Sequence, residues 1–367
     1  MASQFDFHGC FSLSYEEARE RFRETCRSAG AQMEAYENPH RGPDGRPLTT
    51  DVARFGSASA RRLLLLVSGT HGNEGRCGSG CQIAWVREGG PQTLPDNTAV
   101  VLIHYINPYG GANLQRETEE NVDLNRNFLG QAPTEFPENK EYEELHPALT
   151  CAALTGPERE RADAAIADFQ ARNGIQVFLN ALARGQYTRP DGLFFGGRSP
   201  TWANRTFTQI VERHGESAHR IAVIDYHSGF GPYGYGMLVT TSPRGSDSFA
   251  RAHRWYGDGL TSLCGQSATQ VPPEVRGSLV DAVVRIANHA QVTCVAVEYG
   301  TYDLSQLLEL RRAEMALRHM QDPDPELVMR YKRDQEKFLV PGTPDWTEMV
   351  WARSRQLIRQ ALSGLAS

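Results

Sequence analysis

The sequence predicts an α/β sandwich built as one domain, residues 1–367, and three observations carry that prediction. Strand-length apolar runs recur along the chain, three of them nearly continuous, as expected for central strands covered by helices on both faces. Segments of helical periodicity alternate with these runs, which is the pattern of a layered α/β fold. The residues of chemical interest lie at 71–74, 116–127, 227 and 298, on both sides of the most irregular stretch. That stretch therefore reads as an insertion rather than a linker between domains.

The elements follow in order. Helical periodicity first spans 14–30. "RRLLLLVSG" (61–69) is the most convincing strand, followed by a helix at 76–88 and the strand "TAVVLIHYI" (98–106). Residues 130–157 are rich in proline and glutamate and read as an irregular surface insertion, with "PENKEYEELHP" as a solvated face. Helices are expected at 158–184 and 202–214, then the strands "RIAVIDYH" (220–227) and "YGMLVTT" (235–241). A helix at 248–263 precedes the strand "TCVAVEYG" (293–300). Helices at 304–320, 325–338 and 345–363 follow, those in 325–367 forming a helical C-terminal extension.

Bulk properties exclude some classes of function. A formal charge of −6 with no basic block lacks the electrostatic footprint of a nucleic-acid binder. The longest apolar runs are too short to span a bilayer, so no membrane role is expected. The first residues lack a basic segment followed by an apolar one, so they do not read as a signal peptide. Seven cysteines without an export signal read as reduced thiols in a cytoplasmic protein. Cys77 and Cys81 read as small packing residues on one helix face rather than a metal or redox pair.

The chemistry gathers at strand ends. His71 and Glu74 lie just past one predicted strand, His227 ends a second and Glu298 ends a third. Ligands of open α/β sheets bind in the crevice outside the carboxyl ends of strands. Two histidines and one carboxylate make the His₂Glu zinc set of hydrolytic metalloenzymes, which leaves a coordination position for water. The H-x-x-E spacing lets His71 and Glu74 reach one ion from a single turn. Taken alone, the motif also fits a turn histidine and an acid at a helix N-terminus. Among the eleven histidines, however, only His71 has a glutamate three positions later. Glu298 is then the candidate for taking the proton from water and handing it to a leaving group. His104 reads as a strand histidine, not a fourth ligand.

"NPYGGANLQRETEENVDLNRNF" (107–128) supplies the remaining parts. Arg126 offers a planar fork matched to a carboxylate, and Asn125 adds amide donors beside it. Arg116 is suited to stabilising an oxyanion, and Asp123 to accepting the free ring N–H of a metal-bound histidine. An exposed charged loop with an Asx-turn would show similar composition. "GQYTRPDGLFFGG" (185–197) reads as a loop beside the site, with Phe194 and Phe195 either facing a ligand or packing on the core.

In this order, H-x-x-E, D-x-N-R-N-F, a strand-end histidine and a strand-end glutamate resemble the zinc metallocarboxypeptidases and their aspartoacylase and succinylglutamate-desuccinylase relatives. "HGNEG", "NPYG", "ENVDLNRNF", "DYHSGFGPYG" and "VEYGTY" are similar to a bacterial branch of that clan labelled as a domain of unknown function. The resemblance covers roughly residues 5–365. It implies a carboxypeptidase-like α/β/α sandwich around a mixed, mainly parallel twisted sheet. It also implies one zinc ion per chain on His71, Glu74 and His227, with Asp123 behind His71.

Arg116 would then polarise the carbonyl, Asn125 and Arg126 would clamp a substrate carboxylate, and Glu298 would be the general base and acid. Tyr233 and Tyr302 are candidates for a tyrosine that closes on the substrate. The spacing from Arg116 to Arg126 is shorter than in the digestive enzymes and closer to the deacylases. The implied partner is a small molecule or short peptide with a free carboxylate, cleaved at an amide bond. An esterase of a small acylated metabolite and a non-catalytic, metal-retaining binding module are the alternatives.

Overall fold

The computed structural model describes residues 5–130, 133–264 and 275–367. Among these, eight strands form one mixed sheet: β1 (Gln32–Arg41), β2 (Pro47–Phe55), β3 (Arg62–Val67), β4 (Thr98–His104), β5 (Arg220–Ser228), β6 (Gly236–Thr240), β7 (Leu260–Ser262) and β8 (Gln291–Tyr299). Their spatial order is β1-β2-β4-β3-β5-β8-β6-β7. The centre is parallel, with β4, β3, β5 and β8 running the same way, while β1, β2 and β6 introduce antiparallel pairs.

Alternation along the central strands sorts the core into two layers, because successive side chains in a strand point to opposite faces. Leu64, Leu66, Ala222, Ile224 and Val297 pack on one side with α1 (Tyr15–Ser28), α2 (Gly75–Arg87) and two helices from later in the chain. Leu63, Leu65, Val67, Ile221 and Val223 pack on the other. The helices are α3 (Pro108–Ala112), α4 (Lys140–Leu149), α5 (Pro157–Asn173), α6 (Ile175–Ala183), α7 (Trp202–Gly215), α8 (Asp247–Tyr256), α9 (Leu279–Ile286), α10 (Leu304–His319), α11 (Pro325–Leu339) and α12 (Pro344–Ala366). α8 and α12 join the first layer, and α7 and α9 cover the second. The architecture is the expected α/β/α sandwich. None of the described helices is long and apolar enough to cross a membrane.

Several elements differ from the sequence-based expectation. The hairpin β1–β2 was not expected, because β2 buries Thr49, Thr50, Asp51 and Arg54 where an apolar run would announce a strand. Most of their polar atoms find partners on side chains and loops: Arg19 reaches Asp51 at 2.9 Å, and Arg54 reaches the His214 carbonyl at 3.2 Å. The helix expected over 158–184 is two helices, since Gly174 adopts φ +86°, a left-handed conformation that ends α5. The helix expected to reach 263 stops at Tyr256 before Gly257 (φ +83°), and the chain becomes β7. Within the insertion, α4 is amphipathic and not simply a solvated face. It buries Tyr142, Leu145 and Leu149 against α5 and α6 in a separate helical cluster. Within the helical C-terminal extension, α12 buries Trp346, Val350, Leu357 and Leu365 and packs into the first layer of the sandwich.

Candidate metal and catalytic site

His71, Glu74 and His227 converge at the carboxyl ends of β3 and β5, with one ligand atom from each lying within 4.8 Å of the others. The turn carrying the first two must pass very close to α3. A Cβ on Gly72 would stand 2.1 Å from the Gly110 carbonyl carbon, so this position admits only glycine. β5 and β8 run in parallel register, with His227 opposite Glu298. Strand parity turns both toward the face covered by α7 and α9, beyond the last apolar residues of that face.

The ring orientations indicate what the cluster is suited to hold. Nδ1 of His71 and Nδ1 of His227 face each other at 3.1 Å. The Glu74 oxygens lie 2.9 Å from the first and 3.3 Å from the second. Each ring turns its other nitrogen to a buried aspartate. Asp225 Oδ2 is 2.7 Å from His227 Nε2, whereas Asp123 Oδ1 is 3.4 Å from His71 Nε2, in ion-pair range without hydrogen-bond geometry. Carboxylates behind the Nε2 atoms favour protons there and leave the Nδ1 lone pairs aimed at one point beside a third acceptor. Two nitrogens bound to a tetrahedral zinc at about 2.0–2.1 Å stand about 3.3 Å apart, close to the separation seen here. The donor set therefore fits a divalent cation with nitrogen and oxygen ligands.

Electrostatics reinforce this. Burial works against the Glu74 carboxylate, but His71, His227 and Arg116 outweigh it and hold its pKa far below the usual range. Burial likewise opposes ionisation of Asp123, and Arg116 and Arg126 overcome it. Glu298 is different. Burial pushes its carboxyl above the ordinary range, with only partial relief from His227, and no hydrogen bond to it is present among the described residues. A carboxyl with a raised pKa beside a cluster of candidate metal ligands is suited to exchanging protons.

The family model described as protein of unknown function (DUF2817) matches residues 11–353, which span the whole cluster. The chain belongs to the DUF2817 family. Comparison with curated proteins gave no match. Among solved structures, the DUF2817 chain is similar to carboxypeptidase A from Helicoverpa armigera, with a TM-score of 0.52 and 16% identity over 100% of this chain and 76% of that one. Bovine thrombin-activatable fibrinolysis inhibitor aligns at 0.49 with 11% identity, covering 98% and 99%. Succinylglutamate desuccinylase from Chromobacterium violaceum aligns at 0.37 with 12% identity, covering 88% and 74%. The first likeness shows a carboxypeptidase fold.

In the DUF2817 chain the cluster opens into a cavity of about 520 Å³ lined also by Arg116, Asn125, Arg126, Glu298 and Phe194. Arg116 donates to Glu74 at 3.1 Å and to Asp123 at 3.0 Å, so it lies against a candidate metal ligand. Asn125 accepts from the Leu279 N–H at 2.8 Å, and its amide nitrogen has no protein partner among the described residues. Arg126 is buried, with Nη1 and Nη2 donating to the carbonyls of Asn125 and Ala183 and its Nε left unpaired. Each terminal nitrogen keeps a second hydrogen.

Tyr233 and Tyr302 do not line this cavity. They pack on each other at 5.9 Å, and the Tyr233 hydroxyl bonds Thr343 at 2.6 Å. They sit where α11 meets α12, outside the residues that line the cavity. Phe194 lines the cavity, whereas Phe195 is buried, so the aromatic pair of the 185–197 loop divides between the two expected roles. His104 is buried against Phe22 and bonds Ser79 at 2.9 Å, outside the cavity lining. Sequence reasoning missed Asp225, which also accepts from Thr70 at 2.7 Å. The signal was present: in "DYH", residues two apart on a strand share a face, so an aspartate there could reach the histidine ring.

Proposed function

We propose that this protein is a zinc-dependent hydrolase that cleaves an amide bond adjacent to a free carboxylate, in a peptide or an N-acyl amino acid. The observation that carries the reading is the convergence of two histidine Nδ1 atoms and a carboxylate at one point, beside Glu298, whose burial raises its pKa. His71, Glu74 and His227 would hold the ion, and the carboxypeptidase fold supports that assignment. When bound, zinc lowers the pKa of a coordinated water and polarises a carbonyl.

The chain's own residues do the rest. Glu298 takes the water proton and delivers it to the leaving nitrogen. A raised pKa brings its two protonation states closer in energy at neutral pH, which helps both transfers. Arg116, whose Nη2 is unpaired among the described residues, holds the oxygen on which negative charge develops. Arg126 and Asn125 orient the substrate carboxylate with their remaining donors. Asp225 and Asp123 fix the ring orientations of His227 and His71. Esters of similar shape would follow the same path.

The test is a mass-spectrometric hydrolysis screen with and without chelator. It would pool free-carboxyl peptides, their C-terminally amidated twins and N-acyl amino acids. Chelator-sensitive loss of only the free-carboxyl members is expected. Loss that ignores the chelator, or that spares no amidated twin, would contradict the reading. No turnover by metal-loaded protein would leave the binding-module alternative.

A further inference from the structure

The cavity has an apolar wall that the reaction itself does not use. Phe178, Leu179 and Leu182 of α6 and Leu307 and Leu308 of α10 line it, in the same cavity as His71 and Glu298. Phe194 joins this wall to the reacting centre. It packs on the helical cluster of α4–α6, and its ring faces the guanidinium of Arg116 at 5.4 Å and of Arg311 at 5.8 Å. Its φ of +54°, a left-handed conformation that a phenylalanine rarely adopts, is sustained by those contacts. At the mouth, Ile175 is 50% exposed and Leu304 is 37% exposed, two large apolar side chains left facing solvent.

We propose that this wall binds an apolar acyl chain of the substrate, on the carbonyl side of the scissile bond. Size favours a small molecule, since about 520 Å³ suits a ligand pocket and not a protein interface. Position favours the acyl side. Phe194 touches Arg116, the residue assigned to the carbonyl oxygen, while α6 ends at Arg126 through the Ala183 carbonyl and has its first residue, the exposed Ile175, at the far end. Eight residues of helix cover about 12 Å, several carbon–carbon bonds beyond a carboxylate held at Arg126. A chain lying there removes apolar surface on both partners from water. This inference rests on the hydrolase reading for which bond is cut, but binding tests it separately.

The experiment measures binding of N-acyl glycines, acetyl through dodecanoyl, to zinc-loaded full-length Glu298→Gln protein by titration calorimetry. A second series keeps the acetyl group and lengthens the amino-acid side chain. Affinity is expected to rise about threefold to fourfold per methylene along the acyl series, the increment for burying each CH₂. Leu179→Asn and Leu308→Asn, at partly exposed positions, should flatten that rise while leaving acetylglycine affinity and the thermal melt near those of the parent. Affinity independent of acyl length, a rise confined to the side-chain series, or a slope untouched by both variants would overturn the proposal. A steep acyl series with no hydrolysis by wild-type protein would sustain it while overturning the hydrolase reading.

Discussion

The floor of the cavity and its helical wall are built in opposite ways. The floor is delivered by the ends of buried central strands, and its polar groups are tied by short polar contacts into one unit from Asp225 to Arg116. The wall is carried by short helices that belong to a separate apolar cluster. What binds it to the rest is a knot of buried charges: Glu117 pairs with Arg311 and Arg318, Glu314 pairs with both, and Gln335 passes the chain to Asn73 at 2.6 Å. The difference teaches that the titratable groups are placed where paired strands fix the backbone, while the apolar surface is carried by helices that pack mainly in a cluster of their own.

Breaking the floor should cost most. His227→Ala is expected to remove the bound metal and all measurable turnover, with zinc per chain read by elemental mass spectrometry. Glu298→Gln should lower turnover by about 10²–10⁴-fold, the usual contribution of proton transfer, while zinc content stays that of the wild type. Near-normal turnover in that variant would remove Glu298 from the mechanism. Asp225→Asn should weaken zinc affinity by about 10–100-fold in a chelator competition, the usual effect of losing a carboxylate behind a ligand histidine. Arg126→Ala should raise KM for free-carboxyl substrates and leave carboxyl-blocked analogues unaffected; an equal effect on both would defeat the clamp.

The smallest effect belongs to the wall. Burial would raise the Glu117 carboxyl, but Arg311 and Arg318 outweigh it and bring its pKa down to about 2. A carboxyl depressed in the folded state contributes stability that is full above its unfolded value, 4.5, and is lost as pH falls toward about 2. Acid unfolding in that window should therefore loosen the wall, and Glu117→Gln should flatten the pH dependence of the melting temperature there. An unchanged dependence would show that the charge knot does not hold the wall.

The floor was legible in the sequence because its residues announce themselves. "LLLLVSGTHGNE" ends an apolar run in a histidine and an acid, and "DYH" and "VEYG" end two more. The central strands were legible for the same reason, being covered on both faces. β2 was hidden because half of its buried residues are polar, breaking up the apolar run, and find partners far away in sequence, such as Arg19 and His214. The wall was hidden because α6 was merged with α5 in one expected helix, and its apolar face is meaningful only once α4 and α5 fold against it. Tyr233 and Tyr302 looked suitable because they stand near catalytic motifs in the chain, yet their turns direct them to α11 and α12.

The central claim is that two imidazoles and a carboxylate hold one zinc ion. The most direct measurement is anomalous diffraction at the zinc edge from crystals of the purified protein. The account predicts a single strong peak bonded to Nδ1 of His71, Nδ1 of His227 and the carboxylate of Glu74. A zinc-supplemented crystal with no peak there, or with its only peak elsewhere, would contradict it.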